Sequence, residues 1–242
     1  MKHLVIGAFA AAAVLIAFPT LAFAAKPDTA SALSLPYQNR VSVLERQGPE
    51  GLRSLVSTMF DEKAPVELRW RAVISVGKIG KTYMSPELER AAQSKDWFMR
   101  NAALIALEDA NPTLARKWAR SLLRDKALVV RSAAVDTLVH LHDVTSTDLL
   151  WTQLESKQNF RGTQSLWIRH QIVDALSALP VKGDTSKFVA LLDDGDEKTQ
   201  AAAIHALESR TGTTLGKAQE PVKFRKAYWV KWWREHASEA TL

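Results

Sequence analysis

A chain of 242 residues can bury a sizeable core in one elongated domain. It has no cysteine, which excludes disulfides, thiol catalysis and cysteine-built metal sites and leaves stability to packing. A formal net charge of +6 favours anionic surfaces without requiring one.

Residues 1–24 read as a secretory signal. Lys2 and His3 precede an apolar run from Leu4 to Phe18, followed by Pro19 and the small-residue triplet Ala22, Phe23, Ala24, with cleavage expected before Ala25. The rival reading is an uncleaved anchor, because Leu4 to Ala25 is about long enough to span a bilayer. The first places the protein in the periplasm or outside the cell, the second on the membrane. Residues 25–48 form an N-terminal segment with a flanking helix near Pro36 to Arg46.

Residues 49–215 form a repeat array. Five segments carry one phrase: Glu67 to Val73, Phe98 to Leu104, Val129 to Val135, Trp167 to Val173 and Lys198 to Ile204. Their key residues are Arg69, Arg100, Arg131, Arg169 and Gln200, separated by 31, 31, 38 and 31 residues. A period of this size marks a stacked array of supersecondary units. Asn111 and Pro112 show how a unit begins, with an N-cap followed by proline at the first helical position. A helix through Leu114, Trp118, Leu122 and Leu123 follows, then a break at Asp125 to Ala127, then a second helix through Val130, Ala134 and Leu138. Each repeat is therefore predicted to be a helical hairpin.

In the second helices, Ala72, Ala103, Ala134, Ile172 and Ala203 lie three after the key residue. Val73, Leu104, Val135, Val173 and Ile204 lie four after it, and Val76, Leu107, Leu138, Leu176 and Leu207 lie seven after it. That spacing puts all three positions on one stripe, which a single hairpin cannot bury, so the stack is what folds. First helices are expected to start at Gly48-Pro49, Ser85-Pro86, Asn111-Pro112, Ser146 to Asp148 and Asp184-Thr185. Their inward residues include Leu52, Leu55, Phe60, Leu88, Leu122, Leu123, Leu150, Leu154, Leu191 and Leu192. No useful length alternates at period two, so no sheet is predicted.

An apolar-Arg-x-x-Ala-apolar-x-x-Leu helix after a turn aspartate (Asp61, Asp96, Asp125, Asp194) resembles the short HEAT-like repeats of the phycobilisome-lyase type, over roughly residues 49 to 210. The resemblance implies an all-α solenoid of about five hairpins, with the second helices lining its concave face. It implies a binding scaffold rather than an enzyme, with bilin attachment and DNA base excision as specialisations of such arrays.

Several residue sets are candidate sites. The row Arg69, Arg100, Arg131 and Arg169 could hold phosphates or carboxylates on the concave face, or could pair with the turn aspartates as a structural ladder. The longer step before Arg169 places extra material near Ser156 to Gln164, a loop whose tip residues Phe160 and Arg161 could contact a partner and Gly162 permit the turn. Trp70, Trp97 and Trp167 cluster about the key arginines and, with His170, could line the concave mouth. Trp118 and Trp151 read as packing residues on first helices. His140, His142 and Asp143 resemble half a metal site without a second half, so no metal is expected. No nucleophile motif, phosphate loop or purposeful carboxylate pair appears, so no catalytic residue, cofactor or small-molecule substrate is expected.

Residues 216–242 hold a final helix in which Phe224, Tyr228, Trp229, Trp232 and Trp233 recur at helical spacing among lysines and arginines. It would close the open end of the stack, or lie on a membrane surface. Its Trp-x-x-Trp-Trp pattern is similar to closing helices of exported bacterial HEAT-like proteins. The expected protein is a monomeric scaffold that binds another protein in the cell envelope. The alternative is a binder of anionic lipid head groups, acidic glycan or nucleic acid through a basic concave face.

Overall fold

The computed structural model describes residues 28–237. The expected signal or anchor, residues 1–24, lies outside the described residues. Two N-terminal helices, α1 (Thr29–Ser34) and α2 (Tyr37–Arg46), precede five hairpins. These are α3 (Gly48–Phe60) with α4 (Val66–Gly80), α5 (Ser85–Ala92) with α6 (Trp97–Ala110), α7 (Pro112–Leu122) with α8 (Leu128–His140), α9 (Thr147–Leu154) with α10 (Ile168–Ala178), and α11 (Thr185–Ala190) with α12 (Glu197–Thr211). A last helix, α13 (Val222–His236), follows. The fold is an all-α solenoid.

The helix boundaries follow from local chemistry. Prolines occupy the first turn of α3, α5 and α7, where a missing N–H costs nothing. The Asn111 side chain accepts from the Leu114 N–H at 3.2 Å and that of Asp196 from the Thr199 N–H at 2.9 Å, each satisfying an orphan donor. Gly212, at φ +67°, ends α12 in the left-handed conformation.

The packing stripe of the second helices is the core. Every residue three, four or seven after a key position is at most 1% exposed. Of the expected first-helix core residues, Leu52, Phe60 and Leu191 are only half-buried. The apolar interior runs as two clusters, one from α1 to α7 and one from α6 to α13, with half-buried Trp118 packed against both. At Gly77 an added Cβ would stand 2.7 Å from both the Cβ and the carbonyl oxygen of Ala106, so this glycine lets α4 and α6 approach closely.

Successive second helices pack on one another, α4 on α6, α6 on α8, α8 on α10 and α10 on α12, more extensively than the first helices do. The array therefore curves with its second helices on the inner side. The expectation of no sheet needs a small correction. The insertion holds an antiparallel pair of two-residue strands, β1 (Phe160–Arg161) and β2 (Gln164–Ser165), with Phe160 opposite Ser165 and Arg161 opposite Gln164. Gly162 turns it at φ +62°. Strands this short leave no alternation to read.

Candidate interaction surface

The arginine row does not face solvent. Arg69, Arg100, Arg131 and Arg169 are 2–7% exposed. Each donates to carbonyls of the turn in its own hairpin and to the turn of the next. Arg100 Nη1 reaches Ser94 O at 2.9 Å and Lys95 O at 3.0 Å, while its Nε and Nη2 clamp Asp125 at 2.6 and 2.7 Å. Arg69 donates to Met59 O and to Asp96, and Arg169 donates to Leu154 O and holds Asp194 through both terminal nitrogens. Burial works to raise the Asp194 carboxyl, but the Arg169 hydrogen bonds and the Asp196 N–H outweigh it and lower its pKa. The row is thus a set of stitches between hairpins, and its guanidiniums are not offered to phosphates.

Three departures complete that pattern. Arg131 meets no aspartate in the following turn; its Nε donates to Asn159 Oδ1 at 3.0 Å and its Nη2 to Gln158 O at 2.8 Å. Gln200 has no following repeat to clamp, and its amide reaches only the carbonyl of its own turn, Asp194 O at 2.6 Å. Asp61, in the first turn, meets no arginine among the described residues; it is exposed, and its side chain accepts from the Lys63 N–H.

Phe160 is not a free loop-tip contact. The Arg169 guanidinium lies over its ring at 4.5 Å, and the residue is half-buried. Arg161 is exposed and forms no ion pair or hydrogen bond among the described residues. The half metal site also dissolves. Asp143 is buried and clamped by Arg120 Nε and Nη2 at 2.8 and 2.7 Å, with Ser146 and Thr145 donating to it as well. Burial would raise its carboxyl, yet those donors hold it at about 2. His140 instead faces Glu108 of the preceding repeat.

The inner mouth of the array, at the starts of the second helices, carries four of the exposed large apolar residues. Trp97 is 51% and Trp167 46% exposed. Val66 and Val129 occupy the corresponding first turns of α4 and α8 and are exposed too. All four stand at the starts of successive second helices, off the core stripe, Val66 and Trp97 three residues before their key arginine and Val129 and Trp167 two before it. Trp70, one turn further in, is only half-buried and packs on the first apolar cluster, so it belongs partly to the core. Val66 and Val129 were not singled out from sequence. The signal was present, because each precedes a key arginine by two or three residues, as Trp97 and Trp167 do.

One end of this row opens into a cleft of about 470 Å³ lined by Leu128, Leu166, Trp167 and His170, the hairpin residues Arg161, Gln164 and Ser165, and the start of α12 at Asp196 and Lys198. Arg161, Trp167 and His170 are thereby brought together with Leu128 and Lys198, which are distant in sequence. The Nδ1 of His170 is buried without a hydrogen-bond partner.

Helix α13 packs on α11 and α12. Trp229 is completely buried in the same apolar cluster as Ile204 and Leu207, with Trp232 edge-on at 5.2 Å. Arg225 pairs with Glu208 at 2.8 Å and Lys226 with Asp193 at 2.8 Å. Trp232 and Trp233 are half-buried, whereas Phe224 and Tyr228 stand on the outer side and are exposed.

Residues 52–138, which span most of α3 to α8, match the family model for HEAT repeats. No curated protein matches the chain. With five stacked hairpins and a buried stripe repeated in each, the described residues form an all-α solenoid, and residues 52–138 of it are similar to HEAT repeats.

Proposed function

We propose that the protein is a non-catalytic scaffold that docks a partner protein along its inner mouth, in the cell envelope. The observation that carries this reading is the exposed row of Val66, Trp97, Val129 and Trp167, set beside core positions that are filled. Exposed aromatics at regular intervals are interface anchors, since large rigid rings bury much area at little entropic cost. HEAT repeats commonly serve as protein-interaction scaffolds, which favours the same reading. The envelope location rests on residues 1–24 as an export signal. The decisive experiment is a pull-down from envelope extract with the chain starting at Ala25, beside its Trp97→Ala, Trp167→Ala double variant. A partner retained by the parent and lost by the variant supports the proposal, and equal retention by both refutes it.

For anionic lipid, glycan or nucleic acid the ladder arginines are not the contact, because all four are buried and donate to turns. Exposed cations stand instead at Arg161 and Lys198 and on the outer side of α13, where Phe224, Tyr228, Lys223 and Lys231 are exposed. Charge reversal separates the two modes. Lys223→Glu with Lys231→Glu would abolish binding through α13 and leave docking at the inner mouth unchanged.

A further inference from the structure

The cleft beside the insertion differs from the rest of the inner mouth in its charge. Arg161 stands on one side and Lys198 on the other, both exposed and neither paired among the described residues. Its one carboxylate, Asp196, has one oxygen held by its own helix, accepting from the Thr199 N–H and hydroxyl at 2.9 and 2.8 Å, so the two cations outnumber it. The floor is aliphatic, with Leu128 and Leu166, and the Trp167 ring forms a wall. Two unpaired cations over an apolar floor suit a carboxylate next to an apolar side chain.

The shape of the occupant follows from the apolar row that runs out of the cleft. Packed helices lie about 8 to 10 Å apart, so Trp167, Val129, Trp97 and Val66 recur at about that interval. A polyproline-type segment turns once in three residues and advances about 9 Å, presenting one side chain per repeat.

We infer that the cleft seats an acidic residue of an extended peptide segment, between Arg161 and Lys198, while apolar side chains at about every third position lie along Trp167, Val129, Trp97 and Val66. This deepens the scaffold reading and rests on it. Discrimination comes from the cleft: a segment without the acid leaves two cations unpaired, and one without the apolar residues leaves the row in water.

The test is panning a phage-displayed library of short peptides on the chain starting at Ala25. Selected peptides are then titrated against Arg161→Glu, Lys198→Glu and Trp97→Ala variants whose circular dichroism and melting match the parent. The expected selection carries Asp or Glu flanked by apolar residues at threefold spacing. Each charge reversal should weaken binding roughly tenfold or more, with a steep salt dependence. Peptides that depend on Trp97 but ignore Arg161 and Lys198 overturn the cleft assignment and leave the inner-mouth reading standing. Selection of no peptide, or of peptides indifferent to all three changes, overturns both. An oligogalacturonate that binds through Arg161 and Lys198 where no acidic peptide does would make the cleft a site for acidic sugar and refute the peptide assignment.

Discussion

Arg100 and Asp125 meet across the boundary between the second and third hairpins in a two-point ion pair, Nε to Oδ2 at 2.6 Å and Nη2 to Oδ1 at 2.7 Å. Their side chains are 8% and 6% exposed, so water screens the pair little. Removing one partner of a buried pair strands the other charge, whereas removing both replaces the pair with apolar contact. Arg100→Ala should therefore lower stability by about 3–5 kcal/mol, and Arg100→Met with Asp125→Leu by clearly less. Urea denaturation of the two variants checks this, and equal losses would mean that the pair is not what joins the hairpins.

Asp143 gives the array a specific acid sensitivity. Its folded pKa of about 2 lies below the ordinary 3.8, so the carboxylate is favoured by folding. The resulting stabilisation, about 2 kcal/mol, is fully present above the unfolded pKa and is lost as pH falls through the folded one. In the window between about pH 4 and pH 2, an Asp143→Asn variant should lose stability with pH less steeply than the parent. Denaturation midpoints across that window measure the difference in slope, and parallel curves would contradict the assignment.

Closure of the stack by α13 is testable at Trp229. Trp229→Ala should cost about 3–5 kcal/mol, as for other fully buried aromatics. Trp229→Phe should cost less, because the indole Nε1 is buried without a partner and its loss removes an unsatisfied donor. Truncation after Gly216 would expose Ile204 and Leu207 and should lower the melting temperature or cause aggregation. A truncated chain that melts like the parent and stays monomeric would show that the helix does not close the array.

Trp70 and Trp97 should behave differently despite their similar positions in the repeat. Trp97 stands in water, so Trp97→Ala should change stability by no more than about 0.5 kcal/mol while weakening partner binding by more than about 1 kcal/mol. Trp70 packs on the first apolar cluster, and Trp70→Ala should lower stability by at least about 1 kcal/mol. Thermal melts of both variants decide between them.

The stripe of Ala103, Leu104 and Leu107 and its counterparts could be read from sequence because burial repeats at a fixed helical offset, and the helix starts because proline and capping residues act locally. The exact partner of each arginine was not legible. Arg131 finds Asn159 because the insertion replaces the ordinary turn, and spacing alone cannot place an asparagine that follows an irregular segment. Gln200 and Asp61 become intelligible only in the stack, as the two ends of a chain of stitches. The cleft was hidden for a similar reason: Leu128, Arg161, Trp167 and Lys198 come from three hairpins and an insertion, and only the superposition of repeats brings them together.

The inner mouth as docking surface is the central proposal for this protein. A photoreactive amino acid placed in living cells at Trp97, at Trp167 or at Tyr83, the last 90% exposed beyond the opposite end of α4, reports this directly. The account expects one discrete crosslinked partner from the Trp97 and Trp167 positions and none from Tyr83. Crosslinks of equal yield from all three positions, or from Tyr83 alone, would contradict it.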